Sequence, residues 1–549
     1  MAESISSVTY DEPAFRERVR LSRYAFHPEE TWKEMCIRVM NEVTMRASAP
    51  EHPEVLEPTL AALEERRFIP GGRTLHAAGR PHPQLLNCFV VPIDDTIEKW
   101  MEALTETCLV SSSYGGVGLN FSRVRASGTP TSRGPAGGPL MPMRMINYCI
   151  GELEQSGGRR GALMFALDHD HPDILDFISM KDRDGEVRNA NISVNFRNES
   201  LRSYLRRMDR GDDRLWRALV DHALLRGEPG ILNGALANEE SGIWYYRPLI
   251  CTNPCGEIWL EPYGCCCLGH IVLPNLVRNG AMDLSLLQET VRVGVRFLDD
   301  VLTVNRYPLP AIAENSQKVR RIGLGVTGLH HALIKLGRRY DDLETIDALF
   351  QEIRDTAYQA SVDLAKERGP FQRWDTRWLA SGFAQRLPER LRAQIEQHGL
   401  RNCALLTVAP TGTVSSILGV SPGIEPIMGR VYNRIWREND HWVSVRCEDP
   451  LWKEYAGESE NRDFREAREI QLASHLAVQA TVQRYVDNSV SKTVNVPGGL
   501  DPAEVGRILS VYAPMLKGVT LYPEASREGT PFTSADCPDG SCDLERGDG

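Results

Sequence analysis

The stretch TNPCGEIWLEPYGCCCLG, residues 252–269, holds four of the 13 cysteines of this 549-residue chain. Cys255 stands between Asn253 and Glu257. Three consecutive cysteines follow ten to twelve residues later: Cys265, Cys266 and Cys267. Four thiols in so short a segment indicate either a metal site or thiol redox chemistry. An odd number of cysteines favours free, catalytic or metal-bound thiols over a disulfide scaffold.

The composition is that of a globular enzyme, with 42% hydrophobic and 25% charged residues. A length of 549 residues predicts two or more domains, or one large barrel with additions. The net charge of -11 argues against a nucleic-acid partner. No apolar run approaches the roughly 20 residues of a membrane span, and the N-terminal residues lack the apolar core of a signal peptide. We therefore expect a cytoplasmic protein that binds neither nucleic acid nor a membrane.

Three regions are distinguished along the chain. Apolar residues at spacings of three and four predict an N-terminal helical region over residues 1–80. Over residues 81–525, short β-branched runs alternate with amphipathic segments, which predicts an α/β fold with a largely parallel sheet. Residues 526–549 are rich in Gly, Pro, Ser and Asp and are predicted to form a flexible tail, which carries Cys537 and Cys542.

Cys255 is a candidate reaction centre. Asn253 and Glu257 lie two residues away on either side, so in an extended loop the three side chains would point to one face. A thiol beside an amide and a carboxylate suits chemistry in which sulfur acts on a substrate while Glu257 moves a proton. The alternative is a buried cysteine in a Pro-Gly turn with Glu257 as a solvated neighbour. Local spacing alone leaves both interpretations open.

A structural zinc site is the rival interpretation of the cysteine cluster. Such sites usually take two pairs of ligands, with two to four residues inside each pair, in tetrahedral geometry. Three adjacent cysteines would instead alternate in direction along a strand, which is poor geometry for one tetrahedral ion. We therefore predict no protein-bound metal ion.

The chain also carries a series of motifs in a fixed order. They are NCFVVPIDDT at 87–96, GGVGLNFSRVR at 115–125, GGRRGALM at 157–164, HPDILDFI at 171–178, NISVNF at 191–196, NPCGE at 253–257, RRIGLGVTGL at 320–329, APTGTVSSILGVSPGIEP at 409–426 and SKTVNVP at 491–497. Together they resemble the ribonucleotide reductases over about residues 68–542, in particular the adenosylcobalamin-dependent class II enzymes. The resemblance implies a ten-stranded α/β barrel preceded by the N-terminal helical region.

The resemblance implies a role for each residue of the opening stretch. Cys255 would carry the thiyl radical that abstracts the ribose 3′ hydrogen. Glu257 would be the base for the 3′ hydroxyl, and Asn253 would hold the sugar. Cys88 and Cys266 would be the reducing pair that removes the 2′ hydroxyl and ends as a disulfide, which needs Cα atoms about 4.4 to 6.8 Å apart.

The triple cysteine departs from the family pattern, in which a single cysteine is followed by asparagine. Along a strand, Cys265 and Cys267 share one face and Cys266 takes the other. We select Cys266 as the partner of Cys88 and interpret its two neighbours as small buried residues.

The resemblance also implies nucleotide-binding residues. For the substrate they are Asn87, Gly116, Pro410, Thr411, Gly412 and Thr413. For a deoxynucleotide or ATP effector they are Asp95, Thr96, Arg133 and Asn189. The start of a helix offers N–H groups to a phosphate, although the PTGT segment alone would be interpreted as an ordinary helix cap.

Two features favour class II within the family. A glycyl-radical motif of class III is absent from the sequence, and the place of the class I tyrosine pair reads TLYP, with Pro523 after Tyr522. We therefore expect adenosylcobalamin as cofactor, ribonucleotides, with diphosphates favoured, as substrate, and a thioredoxin-like reductant. Cys537 and Cys542 would be the redox shuttle, and the assembly a homodimer or a monomer. The alternatives are a class I large subunit and a non-catalytic nucleotide-binding homologue.

Overall fold

The structure is a computed structural model of the chain. It describes residues 6–7, 12–48, 50–132, 134–153, 162–182, 186–208, 213–438, 441–455, 457, 461–523 and 532–534. Arg133, Cys537 and Cys542 lie outside these residues, as does most of the GGRRGALM motif.

Helices account for much of the described chain. The α-helices are α1 (Glu12–Arg23), α2 (Trp32–Met40), α3 (Leu56–Glu64), α4 (Gly72–Ala77), α5 (Ile97–Ser112), α6 (Leu140–Glu152), α7 (Ile174–Ile178), α8 (Leu201–Met208), α9 (Arg214–Arg226), α10 (Gly234–Glu239), α11 (Leu284–Val304), α12 (Pro310–Val319), α13 (Leu329–Lys335), α14 (Leu343–Arg368), α15 (Glu389–His398), α16 (Gly412–Leu418), α17 (Pro450–Glu454), α18 (Leu472–Gln483) and α19 (Pro502–Tyr512). A π-helical turn, Asn41–Met45, continues α2. Of the helices described, none is both long and apolar enough to cross a membrane.

The strands are short. They are β1 (Ser6–Ser7), β2 (Phe68–Pro70), β3 (Cys88–Val90), β4 (Gly116–Asn120), β5 (Pro130–Thr131), β6 (Gly134–Pro135), β7 (Leu163–Asp168), β8 (Ala190–Asn195), β9 (Gly230–Leu232), β10 (Cys251–Thr252), β11 (Trp259–Leu260), β12 (Cys265–Val272), β13 (Val277–Arg278), β14 (Ala281–Met282), β15 (Ile322–Thr327), β16 (Val431–Glu438), β17 (His441–Glu448), β18 (Thr493–Val496), β19 (Gly518–Pro523) and β20 (Phe532–Ser534).

Ten strands form the central sheet, in the order β15-β12-β3-β4-β7-β8-β9-β19-β18, with β2 added beside β12. Strands β3, β4, β7, β8 and β9 run parallel, as do β12 with β15 and β18 with β19. The two halves meet in antiparallel pairs, β3 with β12 and β9 with β19. Bridges from Leu324 to Leu406 and from Val408 to Val490 connect β15 to the segment before β18 and close the barrel. The predicted α/β barrel is confirmed.

The sequence of the barrel strands explains their burial. All six residues of β7, LMFALD, are buried, as expected for a parallel strand covered on both faces. Outside the sheet, α11 packs against β12 and α14. The side chain of Asp283 caps α11 by accepting from the Leu286 N–H at 3.0 Å. The inner strands are therefore fixed by hydrophobic layers on both sides.

The N-terminal region is mainly helical, as α1 to α4 show, but it is not separate from the barrel sheet. Strand β2 pairs with β12 through Ile69 opposite His270. The boundary predicted at residue 80 therefore does not mark the beginning of the sheet.

A second sheet lies outside the barrel and was not predicted. Strands β16 and β17 form an antiparallel hairpin, β1 pairs with β17, and β20 pairs with β16. Phe15 of α1 packs against Val445 and Cys447 of β17. The hairpin thus rests on α1 and carries strands from both ends of the chain.

Candidate active site

The segment 251–260 enters the interior of the barrel between β10 and β11. Gly118 of β4 lies so close to it that a Cβ atom there would be 1.8 Å from the carbonyl oxygen of Thr252. From the opposite side, the Ser489 N–H donates to the Glu257 carbonyl at 2.9 Å. Strand β4 and the segment before β18 therefore hold the loop in place from two sides.

The tip of this loop is a turn, not the extended segment in which alternation would place the three side chains on one face. Gly256 has a φ of 80°, and its N–H donates to the Asn253 carbonyl at 3.1 Å. The turn exposes Cys255, whereas Asn253 and Glu257 are 3% and 2% exposed. All three residues nonetheless line the same cavity.

Glu257 is a buried carboxyl group with a raised pKa. Burial raises its pKa to about 7, and hydrogen bonds, including those from Asn253 and Cys88, oppose the rise. Its Oε1 accepts from the Cys88 thiol at 3.7 Å, and its Oε2 has no hydrogen-bond partner within the described chain. Such a group can accept a proton near neutral pH.

Cys88 and Cys266 lie directly opposite each other on the antiparallel strands β3 and β12. Opposite residues in such a ladder have Cα atoms about 4.5 to 5.5 Å apart, which is within the range that a disulfide spans. The Asn253 side-chain amide also donates to the Cys88 sulfur at 3.2 Å. The strand pairing therefore brings the two predicted redox thiols together beside the Cys255 loop.

Both members of this pair are protonated thiols at neutral pH. Burial raises the pKa of Cys88 well above its usual value, and the negative charge of Glu257 raises it further. Burial also raises the pKa of Cys266, and neighbouring Cys267 adds to the effect. Protonated thiols can donate hydrogen as well as electrons.

Cys265 and Cys267 occupy different surroundings, against the helices outside the barrel. The Cys267 thiol donates to the Leu298 carbonyl of α11 at 3.3 Å. Burial raises the pKa of Cys265 to about 12, and a hydrogen bond with Ser316 of α12 opposes the rise. In the described parts of the chain, no group of three or more His, Cys, Asp and Glu side chains is placed to hold a metal ion.

Two cavities meet at Cys255. The larger has a volume of about 580 Å³ and is lined by Cys88, Asn253, Glu257 and residues 410–414. The smaller has a volume of about 230 Å³ and lies beside β8, β9, β18 and β19. Cys255 lines both, so its sulfur can be approached from two directions.

Residues 86–211 and 211–522 match the family described as "Ribonucleotide reductase, barrel domain". The chain belongs to the ribonucleotide reductase family. It is 32% identical over 532 residues to the vitamin B12-dependent ribonucleoside-diphosphate reductase of Thermoplasma acidophilum, covering 88% of this chain and 66% of that protein. A protein of the same name from Mycobacterium tuberculosis is 32% identical over 585 residues, 97% of this chain and 81% of that protein. The ribonucleoside-diphosphate reductase large subunit of Vaccinia virus is 28% identical over 483 residues, 75% of this chain and 62% of that protein.

The residues that the resemblance assigns to the substrate all line the larger cavity of this reductase: Asn87, Gly116, Pro410, Thr411, Gly412 and Thr413. The Oδ1 atom of Asn87 is buried without a hydrogen-bond partner in the described structure. Gly116 has a packing role, because a Cβ atom there would be 2.9 Å from Pro254 Cγ. Its lack of a side chain allows the loop to lie against β4.

The hydroxyl groups of the PTGT segment already have partners in the protein. Thr411 Oγ1 accepts from the Gly423 N–H at 2.9 Å and lies 3.0 Å from Thr327 Oγ1. Thr413 forms a hydrogen bond with the hydroxyl of Tyr24, which follows α1. Tyr24 lines the larger cavity and was missed by the sequence analysis, because nothing in its neighbourhood marks it as part of a site.

Arg73 and His76 of α4 also line the larger cavity and were missed. Arg73 lies 4.5 Å above the Tyr114 ring, and its Nε donates to the Gln84 carbonyl at 3.0 Å. The signal that could have found them is the run PGGRTLH at 70–76, where paired glycines precede a cation and an imidazole.

The smaller cavity contains a buried acceptor that the sequence analysis also missed. Gln479 of α18 is 1% exposed, and its Oε1 has no hydrogen-bond partner in the described structure. Its side-chain amide donates to the carbonyls of Val490 and Gly518 at 2.9 and 3.0 Å. Because both hydrogen bonds use the N–H groups of the Gln479 side chain, its Oε1 can still accept a hydrogen bond from a ligand. Tyr522 lines the same smaller cavity.

Of the predicted effector residues, Asp95, Thr96 and Asn189 are described, and they line neither of these two cavities. The Asp95 carboxylate accepts from the Arg125 Nε at 2.6 Å, and Thr96 caps α5 by accepting from the Lys99 N–H at 3.2 Å. Asn189 donates to the Asn147 carbonyl at 3.2 Å. An effector bound by these three residues would therefore lie outside the two cavities that Cys255 lines.

Proposed function

We propose that this chain reduces ribonucleoside diphosphates to 2′-deoxyribonucleotides by thiyl-radical chemistry at Cys255, with adenosylcobalamin as cofactor. The main support is that Cys255 lines two cavities, that Glu257 and Cys88 line the larger of them, and that Cys266 lies opposite Cys88 on the neighbouring strand. The names of the relatives from T. acidophilum and M. tuberculosis support the diphosphate substrate and the dependence on vitamin B12.

The larger cavity would hold the substrate, with its phosphates toward residues 410–413 and its ribose beside Cys255. The Cys255 sulfur radical would take the 3′ hydrogen and return it at the end. Glu257 would accept the 3′-hydroxyl proton while the Cys88 thiol protonates the departing 2′ hydroxyl, which leaves as water. Cys88 and Cys266 would together lose two hydrogen atoms and become a disulfide. Each turnover thus converts one 2′ hydroxyl and two thiols into a C–H bond, water and one disulfide.

The smaller cavity suits the adenosyl end of the cofactor. A volume of about 230 Å³ could admit an adenosyl group but not a corrin ring, and the Gln479 oxygen offers an unsatisfied acceptor. Gln479, Asn191 and Tyr522 are the residues we expect to hold the group. When bound, adenosylcobalamin supplies the radical chemistry that activates a thiol. The class I alternative is disfavoured because Pro523 stands where a second relay tyrosine would be needed.

Adding adenosylcobalamin to the purified chain tests this proposal. With a ribonucleoside diphosphate, dithiothreitol and the cofactor, but no second protein, we expect deoxyribonucleotide product. Omitting the cofactor should abolish product formation, and Cys255→Ser provides the matched negative control. Activity that required a di-metal partner protein and ignored cobalamin would favour the class I alternative. Nucleotide binding without reduction would favour the alternative of a non-catalytic nucleotide-binding homologue.

We also propose that the tail dithiol, Cys537 and Cys542, which lies outside the described residues, re-reduces the active site. Cys88 and Cys266 are 1% and 0% exposed, so a bulky reductant could not reach their disulfide directly. Thiol–disulfide exchange would convert the tail thiols into a disulfide as the Cys88–Cys266 disulfide returns to two thiols. A thioredoxin-like protein would then reduce the tail.

Replacing both tail cysteines by serine tests the shuttle. We expect one burst of product per active site and no continued turnover with thioredoxin, while dithiothreitol still supports turnover. Undiminished thioredoxin-driven turnover would show that the tail is not the carrier.

We further propose a deoxynucleotide or ATP effector site at Asp95, Thr96 and Asn189, with Arg133 outside the described residues. A homodimer is favoured over a monomer because α5 and α6 expose apolar side chains, with Leu109 50% and Tyr148 68% exposed. Light scattering with and without a deoxynucleoside triphosphate tests both points. A monomer under both conditions would contradict the dimer.

A further inference from the structure

The larger cavity gives access to one member of the Cys88–Cys266 pair. Cys88 lines this cavity, whereas Cys266 is not among the described residues that line either cavity. Glu257 lines the larger cavity as well, and its Oε1 lies 3.7 Å from the Cys88 sulfur. Thiol–disulfide exchange depends on access to the sulfur that is attacked. A thiol that enters through the larger cavity therefore meets the Cys88 side of the disulfide.

The Cys266 side chain points toward strand β15, because a Cβ atom added to Gly323 would lie 3.1 Å from the Cys266 sulfur. Strands β12 and β15 run parallel, with Cys267 opposite Ile322. Cys266 and Arg321 are the residues that immediately precede this pair. Side chains two residues apart in an extended chain share a face, so Arg321 and Gly323 point the same way. Arg321 is therefore a neighbour of Cys266 on the adjacent strand.

Arg321 is a buried cation whose hydrogen bonds are incomplete. The residue is 4% exposed. Its two terminal nitrogens donate to Asn488 Oδ1 at 3.1 Å and to Glu261 Oε2 at 2.9 Å. Its Nε has no hydrogen-bond partner in the described structure. A guanidinium group stays protonated in proteins, so a positive charge remains beside Cys266 throughout the reaction.

The two sulfurs of the pair lie in opposite electrostatic surroundings. Burial raises the pKa of Cys266, and the charge of Arg321 opposes that rise. Burial also raises the pKa of Cys88, but there the charge of Glu257 adds to the rise. A thiolate formed at Cys266 is thus stabilised by a cation, whereas one formed at Cys88 faces a carboxylate. Exchange is faster when the leaving thiolate is the more stable one, which favours departure of Cys266.

We propose that reduction of the Cys88–Cys266 disulfide has a fixed direction, in which the reductant attacks Cys88 and Arg321 stabilises the departing Cys266 thiolate. The attacking thiolate forms a mixed disulfide with Cys88 while the S–S bond breaks, and the bonding electron pair leaves with Cys266. Cys266 then takes up the proton that the attacking thiol lost. The second thiol of the reductant displaces Cys88 and closes a disulfide of its own, so both cysteines return to thiols. The inference rests on the redox pair of the proposed function, whichever dithiol enters the cavity.

Trapping the mixed disulfide tests the direction. The full-length Cys537→Ser/Cys542→Ser protein, after one turnover without reductant, carries the Cys88–Cys266 disulfide and no tail thiols. A brief exposure to 2-mercaptoethanol, which has a single thiol, leaves an adduct on the sulfur that was attacked. Acid quenching, unfolding and alkylation with N-ethylmaleimide then allow peptide mass spectrometry to locate it. At early times we expect the adduct mainly on Cys88, with Cys266 alkylated. An equal or larger share of adduct on Cys266 would overturn the proposal.

Removing the charge of Arg321 tests its role in positioning the leaving thiolate. Arg321 and Glu261 are replaced together in Glu261→Gln/Arg321→Gln, because removal of one partner would leave an unpaired buried charge. Reduction of the preformed disulfide by dithiothreitol should be about tenfold slower in this variant, and a larger share of the 2-mercaptoethanol adduct should appear on Cys266. Arg321→Lys is the matched control, because it keeps the charge and should stay closer to the wild type in both measurements. An unchanged rate and adduct distribution in the double variant would overturn the role given to Arg321.

The trapping experiment also separates failure of this inference from failure of the proposed function. If one turnover leaves no disulfide between Cys88 and Cys266, the proposed function fails and this inference fails with it. If that disulfide forms but the adduct lies on Cys266, only the direction of reduction is refuted. Because this measurement needs no change at Arg321, it decides the question even if the double variant does not fold.

Discussion

The Cys255 loop and the Cys88–Cys266 pair place thiols in opposite environments within one barrel. Cys255 is exposed at the tip of a turn that two cavities share. Cys88 and Cys266 are buried on paired strands. The difference corresponds to two chemical demands. Cys255 must receive a radical from one side and act on a substrate at the other, so it needs access from both sides. Cys88 and Cys266 must form a disulfide, so they need a fixed separation.

The two regions are also stabilised differently. The turn depends on Gly256 in the left-handed region and on close packing of the loop against Gly116 and Gly118. The pair depends on the antiparallel contact of β3 with β12, where the two half-barrels meet. Mutations should therefore affect radical chemistry and disulfide formation separately.

The largest effect is expected for Cys255→Ser. Serine keeps the size of the side chain but cannot form a stable sulfur radical, so product formation should fall by at least about 10⁴-fold. Oxidation of Cys88 and Cys266 by an added disulfide reagent should be unaffected, as thiol counting can show. Residual reduction near the wild-type rate would place the radical on another residue.

Cys266→Ser should abolish reduction at the 2′ position, because Cys88 would lose its partner for the two-electron step. The matched variants Cys265→Ser and Cys267→Ser should retain substantial turnover, since their thiols contact α12 and α11 instead. Product analysis by chromatography distinguishes the three proteins. If Cys265 or Cys267 proved essential and Cys266 dispensable, the assignment would be wrong.

Glu257→Gln should lower kcat/KM by about 10²- to 10⁴-fold, the usual contribution of a general base. Because burial raises the pKa of Glu257 to about 7, the ionised base is lost below that pH. The kcat/KM of the wild type should rise with pH up to about 7 and then level off. Glu257→Asp should keep a rise of kcat/KM with pH, and Glu257→Gln should lack it. If kcat/KM of Glu257→Gln still rose with pH, the titrating base would be another group.

Gly118→Ala should have the smallest effect of the four. A Cβ atom at Gly118 would be 1.8 Å from the Thr252 oxygen, so the loop must shift. We expect a loss of about 1 to 3 kcal/mol in the free energy of unfolding. Gly457→Ala is the control, because a Cβ atom there meets nothing within 4 Å. Equal denaturation midpoints for both variants would show that the loop is not held as described.

The pattern of the sequence predicted an α/β fold with a largely parallel sheet, whereas the ten-stranded barrel and the partnership of Cys266 with Cys88 were implied by the family resemblance. Short buried strands that alternate with helices specify a parallel sheet. Successive side chains of a strand point to opposite faces, so Cys266 of β12 faces away from Cys265 and Cys267. The loop conformation was harder to predict. Spacing alone suggested an extended segment, whereas Gly256 turns the chain between Asn253 and Glu257.

Other features have no local sequence signal. Helix α18 is buried on several faces, so nothing in its pattern sets Gln479 apart from its packed neighbours. The pairing of β20 with β16 joins segments about 100 residues apart, and pairing over such a distance depends on the whole fold. The same holds for Tyr24, which meets Thr413 only after α1 has packed on α16.

Mapping disulfides after one turnover tests the division between the two thiol regions most directly. The Cys537→Ser/Cys542→Ser protein, fully reduced and given cofactor and substrate without a reductant, should form one product per site. Peptide mass spectrometry should then find Cys88 linked to Cys266, with Cys255, Cys265 and Cys267 still reduced. A bond from Cys88 to Cys265 or Cys267, or Cys255 in any disulfide, would contradict the account.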